Sequence, residues 1–63
     1  MVFVRDLKPG HIILENDGAT LVIAIKHTRQ GVSASLMKNF DMQTIIWRDW
    51  AIYSKHGILV ELR

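Results

Sequence analysis

The chain contains no cysteine and only one proline among its 63 residues. Without cysteine it can form neither a disulfide nor a thiolate metal site. Its three histidines, His11, His27 and His56, lack the short spacing typical of metal ligands, so we expect no metal and no cofactor. A domain this small buries only about 60% of the surface that its unfolded chain exposes. We therefore expect a single domain over residues 1–63 that gains stability by self-association.

The chain also lacks long apolar runs and a strong excess of one charge. Its first residues show no basic segment followed by a long apolar stretch, so we expect no signal peptide. The most apolar stretch, Thr20–His27, is far shorter than the roughly 20 residues of a membrane span. Eight basic and six acidic side chains give a net charge of +2, well below that of a dedicated nucleic-acid tail. These absences predict a cytoplasmic protein without membrane contact, of a size common among bacterial and phage proteins.

Apolar residues, by contrast, are abundant and make up 49% of the chain. They are densest at Thr20–His27, where β-branched and aliphatic residues occur without proline or glycine. Asn16-Asp17-Gly18 precedes this stretch, and Asp-Gly supplies the positive φ that a tight hairpin turn requires. We therefore predict that Thr20–His27 is the central strand of a small sheet, with Leu21, Ile23 and Ile25 on its core face.

Four other stretches have the composition or the alternation of strands. They are His11–Glu15, Val32–Lys38, Thr44–Asp49 and Ile58–Leu62. Thr28–Gly31 is a second hairpin connection, with Gly31 as the expected left-handed residue. Residues 39–43 allow a helical turn and Trp50–Ser54 a short 3₁₀ turn, while Val2–Val4 fits either an edge strand or a loose arm. Five short strands without a convincing helix predict an all-β domain, either a small antiparallel barrel or a sandwich.

The segment Leu7-Lys8-Pro9-Gly10-His11-Ile12-Ile13 carries a family resemblance. It resembles the opening segment of SH3-like small barrels, many of which begin with a hydrophobic-Lys-Pro-Gly-Asp-hydrophobic run; here His11 stands where aspartate is usual. The resemblance covers most of the chain as topology and about seven residues as motif. It implies a small five-stranded antiparallel SH3-like barrel. Such barrels bind RNA, DNA, peptides or partner proteins, so the fold does not select a function.

If the larger aliphatic residues form the core, a second apolar set is left over. The other predicted core residues are Ile12, Leu14, Val32, Ala34, Leu36, Ile58, Val60 and Leu62. The remaining set, which includes Val22 and one of Ile46 or Trp47, would exceed what a soluble monomer normally exposes. We therefore predict a protein interface in which tryptophan and methionine are favoured. Its candidate residues are Ile13, Trp47, Leu59, Trp50 and Met37. The alternative is that the sheet closes tightly, or that residues 50–53 fold over it, so that nothing stays exposed.

Nucleic-acid binding is the alternative function. Cations track phosphates, and aromatic faces stack on bases. The aromatic residues interleaved with the cations are Phe40, Trp47, Trp50 and Tyr53. The candidate residues are Lys26, His27, Arg29, Arg48 and Lys55. The competing interpretation is that these cations only solubilise the surface, that the aromatics fill the core, and that the acidic residues dilute any positive field.

Catalysis has little support in the sequence. Ser33, Ser35 and Ser54 could act as nucleophiles with a histidine as base, but no catalytic signature surrounds any of them. A chain of this size also has little room for an active-site pocket of roughly 300–1,000 Å³. The sequence therefore predicts a non-catalytic interaction module that forms a homo-oligomer. It is a candidate adaptor or inhibitor of a partner protein, with an RNA- or DNA-binding barrel as the alternative.

Overall fold

The computed structural model describes residues 1–61, and within them the chain is built almost wholly of β-strands. The strands are β1 (Val2–Phe3), β2 (Ile12–Glu15), β3 (Gly18–Thr28), β4 (Gly31–Lys38), β5 (Asp41–Trp47), β6 (Ile52–Ser54) and β7 (Ile58–Val60). The helical structure in this part of the chain is one 3₁₀ turn at Val4–Asp6. The all-β prediction is confirmed. The predicted extension of the last strand to Leu62, and the inward side chain of Leu62, lie outside the described residues.

Five strands form one antiparallel sheet in the order β5-β4-β3-β2-β7, and β1 pairs with β6 in a separate two-stranded sheet. Each of the five predicted strands contributes to the larger sheet, and the predicted central strand lies within β3, the middle one. Both sheets are open, so the predicted closed barrel is not formed. The 3₁₀ turn predicted over Trp50–Ser54 is wrong, because Ile52 and Ser54 pair with β1 as a strand.

A β-bulge in β3 decides which side chains reach the core. Val22 lies opposite Leu36 and Ala24 lies opposite Ser35, so Ile23 is an extra residue without a partner in β4. A bulge of this kind reverses the alternation of side chains along a strand. Residues 20 and 22 therefore face inward before the bulge, and Ile25 faces inward after it. The prediction that Leu21, Ile23 and Ile25 share the core face is wrong for the first two.

The predicted core face of β2 and β7 is also reversed. Ile13, predicted to point outward, is 0% exposed, whereas Leu14, predicted to be core, is 46% exposed. Ile13 shares its face with Leu59 of β7, and Leu14 shares the opposite face with Ile58. Both faces of these strands are apolar, so alternation alone could not choose between them. Within β4 the predicted core residues are confirmed: the buried set is Val32, Ala34 and Leu36.

The inner side of the large sheet is covered by the chain ends. Val2 of β1, together with Val4 and Leu7 of the segment that follows, is almost fully buried. Trp47 and Tyr53 pack edge to face over the same core, with ring centroids 5.6 Å apart and an angle of 78° between the ring planes. The core therefore lies on the inner side of the large sheet, where Val2 and Leu7 pack with Ile13 and Val22.

The predicted Pro-Gly turn is present before β2. Gly10 has a φ of 91°, and the His11 N–H donates to the Lys8 carbonyl oxygen at 3.1 Å across the turn. The Lys8 N–H donates to Nδ1 of the buried His11 side chain at 3.3 Å. The imidazole thus accepts from the turn backbone, which a carboxylate at this position could also do. The departure from the SH3-like motif at His11 is therefore compatible with the turn.

Two-residue turns join β2, β3, β4 and β5 into a meander. Gly18 and Gly31, predicted to need positive φ, have φ values of 136° and 139°. The helical turn considered for residues 39–43 is wrong. Asn39 and Phe40 form a tight turn in which both have positive φ, 54° and 62°, because a two-residue hairpin loop follows the twist of its strands best in that conformation.

Phe40 is strained in this turn, since an aromatic residue gains nothing from a left-handed backbone and its side chain is fully exposed. Phe40→Gly should therefore raise the free energy of unfolding by about 0.5–1 kcal/mol, because Asn-Gly is the favoured pair for such turns. Urea unfolding followed by circular dichroism measures the change. Phe40→Ala is the control: it removes the ring, keeps the strain and should leave stability unchanged. A loss of stability in both variants would show that the ring packs on the fold.

Candidate interaction surfaces

The side of the large sheet that points away from the core, which we call the outer face, is apolar across its whole width. One row of directly opposed residues crosses all five strands. It consists of Val60, Ile12, Leu21, Met37 and Met42. Opposed side chains of neighbouring strands lie about 5 Å apart, so this row is continuous. The outer face therefore carries an unbroken apolar band from β7 to β5.

Further apolar residues flank this band on both sides. Leu14 and Ile58 lie opposite each other on one side, and Ile58 is 64% exposed. Ile23 and Ile46 extend the face on the other side. Apart from Lys26, the polar groups that strand pairing places there are small. Two of them satisfy each other, since the hydroxyls of Ser35 and Thr44 are 3.0 Å apart. A face of this size is larger than the single exposed apolar residues that are normal on a monomer.

The structure places the five predicted interface residues on three different parts of the molecule. Ile13 is fully buried in the core, and Trp47 and Leu59 pack against that core from the inner side. Their predicted place on an exposed second face is wrong, because the bulge and the register turn the other side of the sheet outward. Met37 does lie on the outer face. Trp50 is 69% exposed but belongs to a turn beyond the end of β5. That Met37 and Trp50 bind a partner stays a prediction.

A second surface, which we call the hairpin cleft, lies where the turn between β3 and β4 meets the turn after β5. It has a volume of about 230 Å³. The side chains that line it include His27, Arg29, Arg48, Asp49 and Trp50. Two arginines, a histidine and an exposed tryptophan are thus among the residues that border one polar depression.

Hydrogen bonds hold both turns of the cleft in shape. In the first turn the Thr28 hydroxyl accepts from the Gln30 N–H at 3.2 Å and donates to the Gly31 carbonyl at 3.0 Å. In the second turn the Ala51 N–H donates to the Arg48 carbonyl at 2.9 Å. The side chain of Arg29 and that of Arg48 therefore project from backbone segments that are fixed locally.

Gly31 brings the two turns together. It lies so close to the end of β5 that a Cβ atom at this position would overlap the carbonyl oxygen of Trp47. The same atom would lie 3.1 Å from Cα of Arg48. The cleft therefore depends on a residue without a side chain at position 31.

Three of the five predicted nucleic-acid residues, namely His27, Arg29 and Arg48, meet at the hairpin cleft. Lys26 lies opposite Ser33 on the outer face instead. Lys55 precedes β7, whose first residue pairs with Leu14 beside the turn from β2 to β3, and so lies toward the other end of the sheet.

The structure also brings Trp50 to the cleft. The sequence placed this residue both among the candidates for a protein interface and among the aromatic residues interleaved with the cations. Its position two residues after Arg48, in a turn, was the signal that the two lie close together.

Three acidic side chains cluster at the end of the large sheet opposite the cleft. Asp17, Glu15 and Asp41 lie at the end opposite the cleft, around Lys38. Lys38 Nζ is 2.9 Å from Asp17 Oδ1 and 3.9 Å from Glu15 Oε1. The hydrogen bond from Lys38 lowers the pKa of the Asp17 carboxyl, and the same contact raises the pKa of Lys38. Much of the acidic charge is therefore partly neutralised locally and lies away from the two arginines.

Two of the three serines considered as nucleophiles have hydrogen-bond partners other than an imidazole. The hydroxyl of Ser35 bonds to Thr44, and that of Ser54 accepts from the His56 N–H, so among residues 1–61 neither is bonded to an imidazole. No group of three or more metal-ligating side chains converges within the same residues. No helix in the described part of the chain is long and apolar enough to cross a membrane.

Comparison with known proteins finds no match: no protein-family model, curated protein or solved structure is similar to this chain.

Proposed function

We propose that this protein is a small non-catalytic interaction module that self-associates through the outer face of its large sheet. The observation that supports it most is the apolar band that crosses all five strands, from Val60 to Met42. Burying such a band removes apolar surface from water, which stabilises an association by about 25 cal/mol per Å² before the costs of association are subtracted.

A second copy of the same chain is the partner that fits this face best. Within the part of the chain that the structure describes, strand pairing places one charged residue on this face, Lys26, near one end. Two copies related by a twofold axis can therefore meet without opposing like charges at the centre. Two such sheets pack about 10 Å apart, with their side chains interleaved. Burial of the outer face would also stabilise a domain that has neither disulfides nor a large core.

The SH3-like assignment and the cytoplasmic location remain proposals alongside this one. The assignment is supported by the segment from Leu7 to Ile13, which forms the Pro-Gly turn and leads directly into the sheet. An adaptor or inhibitor that acts on a partner protein would use the same outer face, with the partner in place of the second copy.

Leu14→Lys should convert the oligomer into a monomer. The lysine would lie within the apolar face, and burying its charge against a second copy without a partner costs far more than leaving it in water. Light scattering at micromolar concentration should give a multiple of 7.2 kDa for the wild type and 7.2 kDa for the variant. Circular dichroism should be the same for both, because Leu14 is not part of the core.

Phe40→Lys is the matched control, since it makes a similar change at an exposed residue outside the outer face. Its mass should equal that of the wild type. A wild-type mass of 7.2 kDa across the micromolar range would contradict self-association and leave a different protein as the partner of this face. Equal dissociation by both variants would show that the contact lies elsewhere.

A further inference from the structure

The hairpin cleft combines the two chemical groups that bind an unpaired nucleotide. Guanidinium groups bind phosphate oxygens through paired N–H donors, and an indole ring offers a flat surface on which a base can stack. Arg29 and Arg48 supply the first group, and Trp50 supplies the second. Among residues 1–61 neither arginine lies within 4.0 Å of a carboxylate oxygen, so neither guanidinium group is held in an ion pair there.

The distribution of charge favours an anionic ligand at this end of the molecule, although the net charge is only +2. The acidic residues of the turns from β2 to β3 and from β4 to β5 lie at the opposite end of the sheet, where Lys38 pairs with two of them. Among residues 1–61, Asp49 is the one carboxylate that borders the cleft. A phosphate that approaches the cleft therefore meets two arginines and one aspartate. The local positive field is stronger than the net charge of the chain suggests.

We propose that the hairpin cleft binds single-stranded nucleic acid, with Arg29 and Arg48 on its backbone phosphates and Trp50 stacked on one of its bases. This surface is separate from the outer face, so the proposal does not rest on self-association. His27 borders the same cleft and adds a hydrogen-bonding group for a phosphate or a base edge.

The size and form of the cleft favour a single strand over a duplex. A depression of about 230 Å³ between two short turns has room for one base at a time. It offers no helix or two-stranded ribbon long enough to enter a major groove, which is how duplex sequence is commonly read. In a duplex the bases are already stacked and paired, so Trp50 would have no free base to bind.

The cleft is also pre-shaped for its ligand. The Thr28 hydroxyl fixes the first turn through Gln30 and Gly31, and the Ala51 N–H closes the second. The second turn is tied to the core as well, since the Val4 N–H donates to the Ala51 carbonyl oxygen at 3.0 Å. Binding therefore requires little ordering of the backbone, which limits its entropic cost.

A fluorescein-labelled oligothymidylate is a suitable probe, since it is single-stranded and has little structure of its own. Fluorescence anisotropy over a salt series should show binding at low salt that weakens as salt rises. Arg29→Gln with Arg48→Gln should reduce the slope of log K against log salt by about 0.7 for each phosphate that is no longer neutralised. Trp50→Ala should weaken binding about fivefold or more at constant salt, because it removes the ring on which a base stacks. Trp50→Phe keeps a ring and should retain most of the affinity.

Lys55→Gln is the matched control, because it removes one positive charge far from the cleft. Its affinity should stay within about twofold of the wild type, and the same oligothymidylate annealed to its complement should compete poorly. No binding of the wild type at low salt would overturn the proposal, as would an equal loss in the Lys55 variant or equal competition by the duplex. Light scattering on the arginine variants should give the same mass as the wild type. Anisotropy therefore tests nucleic-acid binding, and light scattering tests self-association, independently of each other.

Discussion

Gly31→Ala should lower the free energy of unfolding by about 3 kcal/mol or more, enough to unfold much of a domain this small. Two penalties add at this position. A backbone φ of 139° is unfavourable for any residue with a Cβ atom, which costs on the order of 1–3 kcal/mol. The new Cβ would also overlap the Trp47 carbonyl, and overpacking against a rigid backbone costs roughly another 1–3 kcal/mol. Urea unfolding followed by circular dichroism measures the sum.

Gly18→Ala separates the two penalties. Gly18 has nearly the same φ, 136°, but a Cβ atom there would meet only the flexible end of Lys38, at 3.8 Å. Its loss of stability should therefore be about 1 kcal/mol, arising from the backbone alone. If the two glycine variants lose the same stability, the close approach of the two turns at Gly31 is refuted. If neither loses stability, both turns are assigned wrongly.

Ile13→Ala should cost about 3 kcal/mol, because the side chain is fully buried at the centre of the core. Gly57 packs so closely against it that a Cβ on Gly57 would lie 3.0 Å from Ile13 Cγ2. The site therefore has close neighbours that cannot readily collapse into the space left by the missing atoms. Thermal and urea unfolding both report the change.

Leu14→Ala is the control for Ile13→Ala, since the two residues are neighbours on opposite faces of β2. Leu14 is part of the outer face, so its truncation should weaken only the association, and its effect on stability should depend on protein concentration. The Ile13 variant should lose the same stability at every concentration. A small effect for Ile13 and a large, concentration-independent effect for Leu14 would reverse the assignment of inner and outer faces.

The strands of the large sheet could be predicted from sequence because turn chemistry marks their ends. The pairs Asp17-Gly18 and Gln30-Gly31 contain residues that are typical of tight turns. The alternation of residues in Val32–Lys38 indicated both the strand and which of its side chains face inward. The turn at Asn39 and Phe40 was missed, because phenylalanine is not a residue that positive φ favours. The short strand β6 was missed because its three residues are too few to show a period.

The choice of core face failed for a physical reason. A single extra residue at Ile23 inverts the alternation of β3, and nothing in the sequence Thr20–His27 marks the bulge. The neighbouring strand β2 has apolar residues on both sides, so it could not correct the error. Three of the five candidate interface residues therefore went to the wrong face. The outer face carries a different apolar set, of which Met42 and Ile46 are well exposed. The cations of the cleft could be predicted from charge, but the meeting of the two turns depends on the register of β4 and β5, which pairs Val32 with Trp47.

The strand order has a consequence for how the chain folds. Strands β2 to β5 are joined in sequence by two-residue turns, so each pairing closes a short loop and forms locally. The pairings of β7 with β2 and of β1 with β6 join residues from opposite ends of the chain. Closing such long loops costs more entropy and is slower. The meander is therefore expected to form first and to act as a template, while the chain ends complete the inner layer in the last step.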